Sequence, residues 1–109
     1  MPGTTLGEFE HLVLVAILRL GDAAYAGAIL DELTNEAGRA ASPGAVYVTL
    51  ERLEEKGLVR SRLANATAER GGRPRRYVAV TAKGLRDVRA TRDTLLKFWT
   101  GAERILEQP

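Results

Sequence analysis

Ser42-Pro43-Gly44-Ala45-Val46-Tyr47-Val48-Thr49-Leu50-Glu51-Arg52-Leu53-Glu54-Glu55-Lys56-Gly57-Leu58-Val59 holds a helix start, a helix stop and one apolar stripe between them. Serine is a good N-cap, proline suits the first helical position, and Gly57 suits the residue just past the end. Val46, Leu50 and Leu53 recur at i, i+4 and i+7, which is one helical face. The opposite side carries Gly44, Val48, Glu51 and Glu55, flanked by Tyr47 and Arg52. A small, partly apolar outer face at the N-terminal end is unusual for a solvated helix. It suits a helix that another molecule approaches closely.

The chain has 109 residues, enough for one domain that buries roughly two-thirds of its unfolded surface. It contains no cysteine, which excludes a disulfide framework and a thiolate metal site. The longest apolar run, Leu12 to Leu18, is too short to span a bilayer, and Glu8 and Glu10 before it are unlike the basic start of a signal peptide. The expectation is a cytoplasmic protein without membrane association. Net charge is only +2, yet six arginines (60, 62, 70, 73, 75 and 76) face one acid, Glu69, within a short stretch. That local excess is either a phosphate-facing patch or a solvated loop.

Upstream, Thr5 to Glu8 reads as a capping box before an apolar run. Phe9, Leu12, Val13, Ala16, Ile17 and Leu20 form one helical face, and Gly21 ends the helix. A second face, Leu14, Val15 and Leu18 beside His11, also needs cover. Another subunit or the chain's own last helix can supply it. The next helix runs from about Tyr25 to Glu36 with Asp22 as its expected cap. Two helices, a short link and the capped third helix make a helix-turn-helix pattern.

After Gly57 the period changes to two. Leu58 to Leu63 and Arg76 to Thr81 read as strands, separated by the polar, glycine- and arginine-rich stretch Ala64 to Pro74. Three helices followed by this hairpin make a mainly α (α+β) winged helix-turn-helix, with the arginine-rich tip as its wing. Thr81 caps a last helix whose stripe is Leu85, Val88, Arg92, Leu95, Leu96, Trp99, Ala102 and Leu106, with Phe98 and Ile105 on the other side. A long amphipathic helix at the end of a small domain reads as a dimerisation helix. The expected layout is a winged helix over 1–81, with helices at about 6–20, 24–37 and 43–56 and strands at about 58–64 and 75–81, then a dimerisation helix over 82–109. Expected interface residues are His11, Leu14, Val15, Leu18, Leu85, Val88, Leu95, Phe98 and Trp99.

Catalytic chemistry finds no support. His11, the single histidine, sits on a mostly apolar face, no serine occupies a nucleophile-elbow pattern, and no glycine-rich phosphate loop follows a strand. Neither a metal nor a cofactor is expected.

These residues resemble the PadR family of bacterial transcriptional regulators. The pattern runs from Leu12 to Gly21 through Ala24-Tyr25. It continues in Gly44-Ala45-Val46-Tyr47-x-x-Leu50-x-Arg52-Leu53-Glu54-x-x-Gly57-Leu58-Val59, and ends in Arg73-Pro74-Arg75-Arg76-Tyr77-x-x-Thr81-x-x-Gly84. Two positions depart from it: the family often has Gly-Tyr at Ala24-Tyr25 and Tyr-Pro at Tyr47-Val48. The resemblance implies a homodimer, a repressor by family default, presenting two recognition helices to a palindromic double-stranded DNA operator. Helix N-termini bind phosphate, so Ser42 with the Gly44 and Ala45 amides is expected to meet the backbone or a base edge. Val48 is placed at a thymine methyl, Tyr47 at a phosphate or in the semi-core, and Arg52 on the backbone. Arg70, Arg73, Arg75 and Arg76 are expected to track phosphates or enter a minor groove, with hairpin support as the other role for Arg76. Short family members resemble multidrug sensors, which implies a planar aromatic ligand stacked on Trp99, Phe98 and Leu95; the alternative is that Trp99 packs the dimer. A winged helix used for protein contacts without DNA is the rival function.

Overall fold

The computed structural model describes residues 6–64 and 74–108. Helix α1 spans Glu8–Leu20, α2 Ala26–Asn35 and α3 Pro43–Glu55; strands β1 (Val59–Ala64) and β2 (Arg75–Val80) follow, then α4 (Ala82–Trp99) and a short α5 (Glu103–Glu107). The strands form a two-stranded antiparallel sheet with Val59 opposite Val80 and Ala64 opposite Arg75.

The core lies where α1, α2 and α3 meet the sheet. Val13, Ala16 and Ile17 from α1, Ile29 and Leu33 from α2, and Val46, Leu50 and Leu53 from α3 pack with Leu58, Val59 and Val78. The α3 stripe read from the sequence is therefore its buried face. Its caps are also as expected: Ser42 Oγ accepts the Ala45 N–H at 3.1 Å, and Gly57 takes a φ of 76° that glycine adopts without strain.

Helix starts elsewhere differ from expectation. Thr5 lies outside the described residues, and α1 begins two residues later than about 6, with Gly7 as an N-cap that has no side chain to offer. The Leu6 amide instead donates to Thr91 Oγ1 of α4 at 3.1 Å. Asp22 does not cap α2. It sits in a 3-10 turn over Gly21–Ala23, and Tyr25 is the N-cap, without a side-chain hydrogen bond. Ala24 and Tyr25 are extended here because they line the free edge of β2: Val78 N–H donates to Ala24 O at 2.9 Å, and Tyr25 bridges Tyr77.

The C-terminal region is not one helix. Helix α4 stops at Trp99 and the chain turns before α5. The first half of α4 is bolted to the end of α3. Thr81 donates its N–H to Leu58 O and its hydroxyl to Gly57 O at 2.6 Å, while Lys83 Nζ donates to Lys56 O at 3.0 Å. Gly84 makes this approach possible, since a Cβ there stands 2.2 Å from the Leu58 carbonyl oxygen. Beyond Thr91 every residue of α4 is exposed.

Candidate nucleic-acid interface

The N-terminal half of α3 is open to solvent on its outer side. Ser42, Gly44 and Ala45 are exposed, as is Arg52, and Tyr47 and Val48 are 57% and 54% exposed. Tyr47 nonetheless edges a cavity of about 50 Å³ with Ala26, Leu50 and Val78, so its ring is rooted while its face stays open. One expectation needs correction. The Ala45 amide is not free, because Ser42 accepts its hydrogen, and Val46 N–H donates to Ser42 O. Pro43 has no N–H, which leaves Gly44 as the open first-turn amide among the described residues.

The wing sheet divides its arginines between two faces. Opposed residues share a face, so Arg60, Arg62 and Arg75 lie with Tyr77 and Ala79 on the outer side. Two of these three cations sit on rings: Arg75 lies 3.9 Å from the Tyr25 centroid and Arg62 4.8 Å from that of Tyr77. The two rings meet edge to face at 5.9 Å and 82°. Cation–π contact of this kind is worth about 0.5–1 kcal/mol at exposed sites and fixes where each charge stands. Sequence reading counted these arginines but missed Arg62 and Tyr25 as a set. The alternation of β1 placed Arg60 and Arg62 on one face; nothing local tied Tyr25 to the wing.

Arg76 points the other way. Its Nη1 lies 3.0 Å from Glu51 Oε1, its Nη2 pairs with Glu54, and Ser61 Oγ donates to Glu54 Oε2 at 3.0 Å. The hydrogen bond to Glu51 is the largest influence on the guanidinium and raises its pKa above the ordinary value; burial opposes this, and Glu54 adds to it. Of the two roles expected for Arg76, phosphate contact and support of the hairpin, the geometry lies nearer the second, because two carboxylates already hold its guanidinium. Arg70 and Arg73 lie outside the described residues.

The expected interface residues separate as well. Leu14 is fully buried in the chain's own core, which removes it from any surface another subunit meets. Val88 is partly buried against that core. His11 and Val15 are half-buried and Leu18 is 45% exposed. His11 Nδ1 is buried without a hydrogen-bond partner, and burial lowers the imidazole pKa. Leu85, Leu95, Phe98 and Trp99 are exposed, Phe98 by 88%, and Leu96, Ile105 and Leu106 extend the same apolar arm. Leu95, Phe98 and Trp99, the expected ligand residues, lie on open surface of the single chain. Among the described residues, no three His, Asp or Glu groups stand close enough to hold a metal, and no helix is long and apolar enough to cross a membrane.

An open helix N-terminus in a helix-turn-helix, backed by a cationic β-hairpin, defines a winged-helix protein. The transcriptional regulator PadR-like family matches residues 14–90, more than two-thirds of the chain, and the chain belongs to that family. Its members are transcriptional regulators and not enzymes. A PadR family transcriptional regulator from Eggerthella lenta is 27% identical, covering 94% of this chain and 88% of that one, with a TM-score of 0.69. A PadR-like transcription factor from Bacteroides fragilis is 26% identical over 89% and 88% of the two chains, with a TM-score of 0.70. A PadR-like regulator from Bacillus cereus shares the fold at a TM-score of 0.74, with 21% identity over 93% of each chain. A search of curated proteins gives no significant match.

Proposed function

We propose that this chain is a repressor that binds a palindromic operator as a homodimer. The observation that carries the reading is the open N-terminal face of α3 beside the outer arginine face of the wing. Ser42 and the Gly44 amide meet the DNA backbone, Val48 meets a base edge in the major groove, and Tyr47 and Arg52 flank them on phosphates. Arg75, stacked on Tyr25, meets the backbone beside the groove, and Arg70 and Arg73 extend that contact. The second copy joins through the exposed arm of α4 and α5 together with Val15, Leu18 and Leu85. Repression is the direction that the family resemblance implies.

Fluorescence anisotropy with a labelled duplex from the gene's own upstream region tests the reading. Specific binding that weakens steeply with salt is expected, since each neutralised phosphate releases counterions. No salt-sensitive binding of DNA is what a pure protein-contact module gives. Ligand release is part of the same proposal, because Trp99, Phe98 and Leu95 offer stacking surface to a planar aromatic cation. Titration with such cations is expected to quench Trp99, the only tryptophan. No quenching by any of them removes the ligand from the proposal.

A further inference from the structure

Glu51 raises a difficulty for a helix that enters DNA. It lies three residues beyond Val48 on the outward strip of α3, and its side chain is 50% exposed. Glu54 follows one turn later at 37% exposure. Bare carboxylates there face the phosphate walls of a groove that Val48 has entered, and like charges in an interface are strongly unfavourable.

We propose that Arg76 is a positioning residue that neutralises these two acids from the wing side, so that α3 can seat in the groove, and that it makes no phosphate contact of its own. The inference rests on the DNA-binding reading above. Arginine fits the task because its planar fork presents separate N–H groups to two carboxylates at once. Glu51 and Glu54 are spaced i, i+3, so they stand side by side on the helix, and the fork spans both. Arg76 reaches them because its sheet face, shared with Val59, Ser61 and Val78, is the one packed toward α3. Ser61 holds Glu54 from the neighbouring strand. Recognition helix and wing are thereby joined in one charged unit, with Arg76 setting the angle between them as well as the local charge.

The experiment begins with a duplex enriched from a random-sequence pool by the full wild-type chain. Failure to enrich any duplex overturns the DNA-binding reading itself, before any variant is made. With a duplex in hand, affinity is measured against salt for wild type, Arg76→Gln, and the triple variant Arg76→Gln/Glu51→Gln/Glu54→Gln. Arg76→Gln is expected to bind roughly tenfold more weakly. The triple variant is expected to return to within about threefold of wild type, with the wild-type salt slope, because it neutralises the same phosphates as wild type. A triple variant that stays as weak as Arg76→Gln, with a slope shallower by about one unit, assigns Arg76 to a phosphate and overturns the proposal. Wild-type affinity in Arg76→Gln overturns it too. If Arg76→Gln melts below the assay temperature, Arg76→Lys replaces it. Lysine keeps the charge but cannot span both carboxylates, so weaker binding that Glu51→Gln with Glu54→Gln restores supports the proposal, and wild-type affinity, or weak binding that the two glutamines leave unrestored, overturns it.

Discussion

Among the described glycines, Gly84 is the one whose identity the packing constrains most. A methyl group there meets the Leu58 carbonyl oxygen at 2.2 Å and Val80 Cγ1 at 2.7 Å, so backbone must move to admit it. Gly84→Ala is expected to destabilise the chain by about 1–3 kcal/mol, as overpacking does, and to lower the melting temperature by several degrees in a thermal scan. The sequence marks Gly84 at the end of Thr81-x-x-Gly84 but not the reason for it, since the obstructing carbonyl belongs to a residue far earlier in the chain. His11 carries a second residue-scale expectation. Burial depresses its folded-state pKa below 6.5, so the folded chain binds fewer protons than the unfolded chain between the two values. Its stability is therefore full above the unfolded pKa and declines as pH falls through 6.5 toward the lower folded value. Melting wild type and His11→Leu at pH 7.5 and 5.5 checks this. The drop on acidification is expected to be smaller in the variant.

At the scale of elements, α3 was legible because its signals are local: a serine cap, a proline, an apolar stripe and a glycine stop. The strands were legible for the same reason, to within a residue at each end. The starts of α1 and α2 were not, because their amides and neighbouring backbone are engaged by Thr91 and by the edge of β2, partners that no local pattern names. The candidate interface divides in the same way. Its α3 residues followed from periodicity, whereas the sorting of arginines between Tyr25, Tyr77 and the α3 acids needed the fold. Val48→Glu, at a site 54% exposed, is expected to abolish specific DNA binding while leaving the melting curve unchanged. Arg62→Ala with Arg75→Ala is expected to flatten the salt dependence by about one unit for each phosphate that is no longer neutralised. Anisotropy titrations at several salt concentrations measure both, and an unchanged slope takes the outer wing face out of the DNA interface.

For the whole molecule, the decisive feature is an apolar arm that the single chain leaves uncovered. Leu95, Leu96 and Phe98 are 48%, 63% and 88% exposed, with Ile105 and Leu106 beyond them. The dimer proposed for this arm predicts that Leu95→Lys with Phe98→Lys sediments as a monomer with helix content retained. The long helix in the sequence pointed to this arm, and Gly101 marked the weak point of its final turns, although the burial of Leu14 did not show there. The junction at Gly84 gives the arm a mechanical meaning. Helix α4 has 18 residues, a rod of about 27 Å, clamped at one end to the carbonyls just past the end of α3. A rod so fixed is a lever. A tilt of about 5° at the clamp displaces its far end by roughly 2 Å, and holding the far ends together in a pair restricts that tilt in return. The stiffness of one small junction thus sets how much variation in half-site spacing the proposed dimer tolerates, and insertion of a single base pair at the operator's centre is the perturbation it resists most directly.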